Sequence, residues 1–237
     1  MFLFKTFFMP ISIIFLLFMI ACSNDPTSAI PTEGSIKLSI KGVSNAAKTS
    51  LNKSVNNVVI TSARIVIDEV EFESEADSVD FEFEEPFVQD LALNSSLQEI
   101  NTVQVPFGTY EEMEVEIDEL EDKDSPAFNQ NPDLQNLSIR VEGFLGNDSS
   151  NTFIFTSDLS ETQEREFDPP LVLDETSPST NVVITIDTAT WFVDDNGDPL
   201  DPTVGSNRDD IEDNIKASIK IFEDEDDDGE DDDGDDD

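Results

Sequence analysis

Acidic side chains near the end of the chain have the spacing of oxygen ligands for a calcium ion. The candidate ligands are Asp224, Asp226, Asp228, Asp232 and Asp235. Calcium binds about six to eight oxygen atoms, and Gly229 would permit the sharp turn of a calcium loop. Because 13 of the 15 residues at 223–237 are acidic, almost any acidic spacing occurs there. The alternative interpretation is a disordered, solvated tail that attracts cations loosely.

A second group of oxygen ligands lies in the segment WFVDDNGD that begins at Trp191. Asp194, Asn196 and Asp198 could bind calcium through their side-chain oxygens. However, an Asn-Gly pair between strand-like flanks is typical of a hairpin turn, because both residues tolerate a positive φ. The glycine directly after Asn196 also lies two positions earlier than a calcium loop requires. We therefore expect a turn at this position.

Side chains that serve most enzyme mechanisms are missing from the sequence. There is no histidine, and Cys22 is the only cysteine. Catalytic triads that use histidine, cysteine nucleophiles and zinc sites with nitrogen or sulfur ligands are thereby excluded. Two carboxylates could still hydrolyse a glycoside, but 55 acidic residues guarantee such pairs by chance. We expect a protein that is not an enzyme, with a carboxylate hydrolase as a remote alternative.

The start of the chain has the pattern of a secretory signal that ends at a lipid-modified cysteine. Lys5 precedes an apolar run, and the small residue Ala21 comes directly before Cys22. A membrane-spanning helix would need about 20 apolar residues, and Pro10 shortens the run. The sequence therefore predicts lipidation of Cys22, with an uncleaved anchor as the alternative. Lipidation would tie the protein to a membrane and leave no thiol for chemistry.

The division of the chain follows from these signals and from changes in composition. We expect a lipoprotein signal peptide at 1–21, a tether at 22–33, a folded domain at 34–222 and a disordered acidic tail at 223–237. Ser23 after the cysteine favours the outer membrane over retention at the inner one. The predicted location is thus the bacterial outer membrane or cell surface, reached through the secretory pathway.

The net charge of −43 limits the partners that the protein can have. Nucleic acid is excluded, because binding it requires Lys and Arg to neutralise phosphates. Dense carboxylates are typical of a halophilic protein, since salt screens their mutual repulsion and they keep the surface hydrated. A dedicated cation-binding surface is the alternative.

Alternation of apolar and polar residues indicates strands with one buried face. The clearest alternating sets are Ile36/Leu38/Ile40, Met113/Val115/Ile117, Leu137/Ile139/Val141 and Val182/Ile184/Ile186. The sequence predicts an all-β fold, an antiparallel β-sandwich of about eight to ten strands. In the long run at 58–72 the apolar frame changes from odd to even positions, which predicts a bulge near Asp68 and Glu69.

Three shorter segments complete the prediction. Pro106-Phe107-Gly108 separates two strand-like runs and indicates a hairpin. Residues 44–57 are polar and are expected to form an exposed loop. Residues 209–222 suit a short C-terminal helix, with acids first and Lys216 and Lys220 late, or equally a last strand.

Several segments together resemble a group of uncharacterised bacterial lipoproteins that carry one all-β domain of unknown function. The resemblance covers residues 34–190: a first strand at 34–40, a long Val/Ile-rich strand at 60–72, the run at 87–93 and the turn at 105–110. In that group a Leu-Pro-x-Gly-x-Tyr-like turn leads into a strand, and Pro106, Gly108 and Tyr110 match it. The resemblance implies location and fold class, and it implies no catalytic residues.

Taken together, the sequence predicts a lipid-anchored envelope or cell-surface protein with a non-enzymatic binding or structural role. The expected partners are the membrane, through the lipid anchor, and an envelope or extracellular protein or a glycan. The alternative is a calcium-dependent adhesion or matrix module that uses the acidic tail. No cofactor other than calcium is expected.

Overall fold

The computed structural model describes residues 32–43, 58–74, 81–83, 85–224 and 228–231. These residues belong to one compact unit, Pro31–Asp237. Cys22, the rest of the predicted tether up to residue 31 and the predicted loop at 44–57 lie outside the described residues, and Glu33, the last tether residue, already belongs to β1.

Twelve strands and two α-helices form the described part of the chain. The first six strands are β1 (Glu33–Val43), β2 (Val58–Ile67), β3 (Glu69–Ser74), β4 (Phe81–Phe83), β5 (Phe87–Asp90) and β6 (Leu97–Pro106). The other six are β7 (Gly108–Ile117), β8 (Ile139–Leu145), β9 (Thr152–Ser157), β10 (Glu161–Leu173), β11 (Ser179–Asp187) and β12 (Ile219–Glu223). The helices are α1 (Pro126–Gln130) and α2 (Arg208–Ala217), and a 3-10 turn (Gly205–Asn207) leads into α2. The predicted all-β sandwich is confirmed.

The strands are arranged in three four-stranded sheets. The β1 sheet has the order β12-β11-β1-β6, the β2 sheet β5-β2-β8-β9 and the β3 sheet β10-β7-β3-β4. All pairs are antiparallel except β1 and β11, which run parallel from Ser35/Ser179 to Val43/Asp187. All three sheets contribute side chains to one main hydrophobic core, and Val66, Leu120 and Leu134 form a second, smaller cluster.

The change of frame in the long second run is present, but it is a break between two strands and not the predicted bulge. The run breaks at Asp68, which lies between β2 and β3 and donates its backbone N–H to the carbonyl of Glu116 at 2.9 Å. Burial changes there from Ile65 and Ile67 to Val70 and Phe72. β2 belongs to the β2 sheet and β3 to the β3 sheet, so the apolar run passes from one sheet to the other at Asp68.

The predicted hairpin at Pro106-Phe107-Gly108 is wrong. β6 pairs with β1, whereas β7 pairs with β3 and β10, so the chain crosses from one sheet to another at Phe107. Tyr110, completely buried, donates its hydroxyl proton to the carbonyl oxygen of Pro106 at 2.8 Å. This hydrogen bond across four residues stabilises the corner, in the manner of the tyrosine corners of other sandwiches.

The C-terminal segment contains both structures that the sequence left open. α2 begins after Asn207 with Asp209 and Asp210 in its first turn and Lys216 in its last, as the helix dipole favours. Ile211 and Ile215 bury its apolar side, and β12 follows after Ser218. Since β12 extends to Glu223, the regular structure continues past the predicted boundary at 222.

Candidate functional site: a glutamate-lined sheet face

The outward face of the β3 sheet carries glutamates on all four of its strands. We call these nine described residues the glutamate face: Glu69, Glu71, Glu73, Glu82, Glu112, Glu114, Glu116, Glu164 and Glu166. The face follows from alternation, since on β7 the intervening Met113, Val115 and Ile117 are buried in the core. Successive side chains of a strand point to opposite sides, so the carboxylates must share the other side.

Strand register places these carboxylates opposite one another in rows. The central row crosses all four strands in the order Glu82, Glu71, Glu114 and Glu164. A second row contains Glu73, Glu112 and Glu166, and a third contains Glu69, Glu116 and Thr162. Neighbouring strands lie about 4.8 Å apart, so each row is a line of closely spaced carboxylates.

Two carboxyl groups of the glutamate face, those of Glu112 and Glu116, have raised pKa values. Burial raises the pKa of Glu112, and the charges of Glu73 and Glu164 raise it further. Burial likewise raises the pKa of Glu116, with additional contributions from Asp118 and Asp68 at the end of the sheet. Like charges directly opposite in a sheet are destabilising, so the face costs the fold stability.

The shared edge of β3 and β4 holds the most strongly shifted carboxyl group. The pKa of Glu69 is raised to about 7, first by a side-chain hydrogen bond to Glu82, then by burial and by the charges of Glu82, Glu116 and Glu71. A carboxylate that has lost its proton only accepts hydrogen bonds, so this contact requires one proton between the two groups.

Three members of the face approach each other closely enough to share a cation. Glu112, Glu114 and Glu164 each place one carboxylate oxygen within 4.8 Å of the others. Carboxylate oxygens are the ligands that calcium prefers, although it takes about six to eight of them. Clusters of exposed acids are common without an ion, so the geometry alone does not assign a metal.

The predicted calcium ligands of the tail are only partly described. Asp226, Asp232 and Asp235 lie outside the described residues. Asp224 is completely buried, and Oδ2 accepts hydrogen bonds from Asn181 Nδ2 at 2.9 Å and from the backbone N–H of Gly229 at 3.0 Å. Oδ1 accepts from the backbone N–H of Asp228 at 3.1 Å. Both oxygens of Asp224 thus hold the chain in place.

The predicted turn at 194–198 is present. Val193 and Pro199 form an antiparallel bridge, and Gly197 has a φ of 79°. Asp194 Oδ1 accepts the backbone N–H groups of Asn196 at 2.9 Å and of Asp198 at 2.8 Å. These hydrogen bonds, that from Asp198 first, lower the pKa of Asp194. The carboxylate proposed as a calcium ligand is therefore engaged within its own turn.

Two crevices in the described part of the molecule are lined by residues that do not belong to the glutamate face. One lies beneath β4, is lined by apolar side chains and Asn101, and has a volume of about 10 Å³. The other, about 330 Å³, is lined by Val43, Thr185, Asp187, Thr190, Ala217, Ser218 and Lys220. The carboxylates of the open glutamate face lie outside both crevices.

Sequence reasoning identified the outward glutamates of β7 but not the face they belong to. The segment EVEFES carries the same alternation and could have indicated a further acidic strand, whereas ETQERE has no alternating apolar residues and gives no such signal. Which strands are neighbours, and in which register, is not encoded in that alternation.

Within the described residues, no helix has the length and apolar character needed to cross a membrane. No family model, curated protein or solved structure matches this chain.

Proposed function

We propose that this chain is a lipid-anchored protein of a bacterial outer membrane or cell surface, with a non-enzymatic binding or structural role. Cys22 is the proposed point of lipid attachment, and 22–33 the tether that carries the domain away from the membrane. The observation that carries the binding role is the glutamate face, which presents nine carboxylates on one side of a sheet.

The energetics of the face favour a role in interaction. Each directly opposed like-charged pair costs about 0.2–1 kcal/mol relative to a neutral pair. The opposed pairs Glu71/Glu82, Glu71/Glu114 and Glu114/Glu164 repeat that cost across the whole sheet. A partner with basic groups, or bridging cations, would remove the repulsion on contact. The proposed partner is an envelope or extracellular protein, or a glycan held through cations.

Anchoring is tested by Cys22→Ser in the native host. Radiolabelled palmitate should enter the wild-type chain and sediment with membranes, whereas Cys22→Ser should be unlabelled. Ser23→Ala serves as the matched control and should keep its label, because it leaves the attachment residue in place. Labelling of the Cys22→Ser variant would refute the assignment of Cys22.

The binding role is tested by capture of partners from the native envelope. One variant combines Glu71→Gln, Glu114→Gln and Glu164→Gln, which neutralises most of the central row. The control combines Glu121→Gln, Glu175→Gln and Asp209→Asn, three exposed acids elsewhere, and so has the same net charge. A partner held by wild type and control but lost by the row variant would support the role. A partner held equally by all three would exclude the face.

Calcium binding is the alternative, and calorimetric titration with calcium decides it. The chain should be compared with a truncation after Asp231, because an earlier cut would remove the buried Asp224. Saturable calcium binding with a dissociation constant of about 10⁻⁶ M that is lost on truncation would assign the site to residues 232–237. Binding that survives truncation but is lost in Glu112→Gln/Glu114→Gln/Glu164→Gln would assign it to the face. Without saturable binding, the carboxylates serve as a salt-adapted surface.

A further inference from the structure

β4 is the least secured strand of the β3 sheet. It has three residues and lies at the edge, so β3 is its only neighbour in the sheet. Three residue pairs make up its register with β3: Phe81/Phe72, Glu82/Glu71 and Phe83/Val70. Short edge strands are among the first segments of a fold to detach, because few contacts must break.

The outward side of β4 is held against carboxylates. Glu82 lies opposite Glu71, and its carboxyl group is hydrogen-bonded to that of Glu69. The charged groups that face Glu69 are Glu71 on its own strand, Glu82 on β4 and Glu116 on β7. Asp68 and Asp118 add negative charge around Glu116. When both carboxyl groups of the Glu69–Glu82 pair are ionised, the hydrogen bond is replaced by repulsion.

The inward side of β4 covers apolar surface. Phe81 and Phe83 close a crevice whose other walls are Leu38, Val70, Phe72, Phe87, Asn101 and Val103. Phe83 packs edge-to-face on Phe87, with ring centroids 6.0 Å apart. At about 10 Å³ the closed crevice holds roughly one water molecule. Departure of β4 would expose this apolar surface to solvent.

We propose that β4 is a pH-dependent edge strand: loss of the proton shared by Glu69 and Glu82 releases β4 from β3 and exposes the apolar crevice beneath Phe81 and Phe83. Two opposing contributions determine whether β4 stays docked. Burial of Phe81 and Phe83 stabilises the docked strand, and ionisation of Glu69 and Glu82 destabilises it.

The direction of the pH dependence follows from linkage. The hydrogen bond to Glu82, the largest cause of the raised pKa of Glu69, exists only while β4 is docked, so the docked strand binds the proton more tightly. The charges of Glu116 and Glu71 act on Glu69 whether or not β4 is docked, so only part of the rise to about 7 belongs to docking. Docking is therefore favoured at low pH and weakens over an interval of pH that ends near 7. Within this pH interval, release of one proton lowers the equilibrium constant for docking of β4 by up to about tenfold per pH unit.

Residue-resolved hydrogen exchange on the full chain, corrected for the intrinsic exchange rate, tests the proposal. Protection of the β4 amides should fall steeply from about pH 5 to about pH 8. The internal control is β9, also an edge strand, whose six pairs with β8 contain no pair of acids and which does not line the crevice. Its protection should be constant, which also reports that the sandwich remains folded.

Variants distinguish the effect of the proton shared by Glu69 and Glu82 from the effects of other acids in the β3 sheet. Glu82→Gln should keep β4 protected across the whole pH range, because it removes the carboxyl group of β4 that faces both Glu69 and Glu71. Glu69→Gln should weaken the pH dependence without abolishing it, because Glu82 still lies opposite Glu71. The matched control is Glu166→Gln on the opposite edge strand β10, which should retain the wild-type pH dependence. Constant protection of β4 in the wild type would overturn the proposal, as would an unchanged pH dependence in Glu82→Gln.

Discussion

Asn181 holds Asp224 through both its side chain and its backbone. Its Nδ2 donates to Asp224 Oδ2 at 2.9 Å, and its carbonyl oxygen accepts the backbone N–H of Asp224 at 2.9 Å. Ser39 in turn donates its hydroxyl proton to Asn181 Oδ1 at 2.9 Å, and all three side chains are buried. The beginning of the acidic tail is therefore part of the folded domain.

Removal of the Asp224 carboxylate should destabilise the fold. Asp224→Ala leaves the buried amide of Asn181 and the N–H groups of Asp228 and Gly229 without their acceptor, at a cost of about 1–3 kcal/mol. Urea denaturation of wild type and variant measures the difference. Glu230→Gln, at an exposed position in the same segment, should leave stability unchanged. Equal stability of Asp224→Ala and wild type would show that the network does not support the fold.

Loss of the Tyr110 hydroxyl should weaken the corner between β6 and β7. Tyr110→Phe keeps the buried ring but removes the hydrogen bond to the carbonyl of Pro106, so we expect a loss of about 0.5–1.5 kcal/mol. Thr102→Val is the control, since it also removes a hydroxyl hydrogen bond, to Glu99, but at the exposed surface. Thermal or urea unfolding distinguishes the two. A Tyr110→Phe variant as stable as wild type would contradict the role of the corner.

A side chain at Gly143 should not fit between its neighbouring strands. On β8, Gly143 lies opposite Ile60 on β2 and Phe153 on β9. An added Cβ would lie 2.7 Å from Phe153 Cε1 and against the backbone carbonyl of Val59. Gly143→Ala should therefore destabilise by about 1–3 kcal/mol, as overpacked cores do. At Gly205 an added Cβ meets nothing within 4 Å, so Gly205→Ala should be nearly neutral in the same unfolding assay.

Neutralising the centre of the glutamate face should stabilise the protein. Glu114 lies opposite Glu71 on one side and Glu164 on the other, so Glu114→Gln relieves two like-charged pairs. We expect a gain of about 0.2–1 kcal/mol per pair in dilute salt. In about 1 M salt the gain should shrink, because the repulsion in the wild type is already screened. Glu175→Gln, on an exposed loop, is the control, and no gain at low salt would argue against repulsion within the face.

Stability should decrease from mildly acidic to neutral solution. The pKa values of Glu69, Glu112 and Glu116 are raised by the fold, so their contribution is complete below the ordinary value of 4.5 and is lost as the pH rises. For Glu69 that loss extends from about pH 4.5 to about pH 7. Asp133 has a lowered pKa, because Arg64 stabilises its charge, so its contribution disappears as the pH falls below 3.8. Urea denaturation across this range should show a maximum in mildly acidic solution, and a maximum above pH 7 would contradict the shifts.

Local periodicity was sufficient to predict much of the fold. Alternation at 112–117 predicted which side of β7 is buried, and the change of frame at Asp68 predicted where the long run breaks. Both features depend only on neighbouring residues, because each side chain of a strand points opposite to the next. The turn at Asn196-Gly197 was predictable for the same reason, since its backbone requirements are local.

Long-range relationships were not predictable from the same patterns. Pro106-Phe107-Gly108 has the composition of a turn, but composition does not say which sheet receives the next strand. Asp224 has acidic neighbours on both sides, and nothing in that run distinguishes the one carboxylate that is buried beside Asn181.

The sequence by itself thus determined an all-β chain with acids on the outward side of its strands. It also predicts lipidation at Cys22, which lies outside the described residues. Only the tertiary structure decided that Glu82, Glu71, Glu114 and Glu164 share one row. The reason is physical: side-chain alternation is set by the backbone of one strand, whereas register between distant strands is set by how their buried sides pack in the common core.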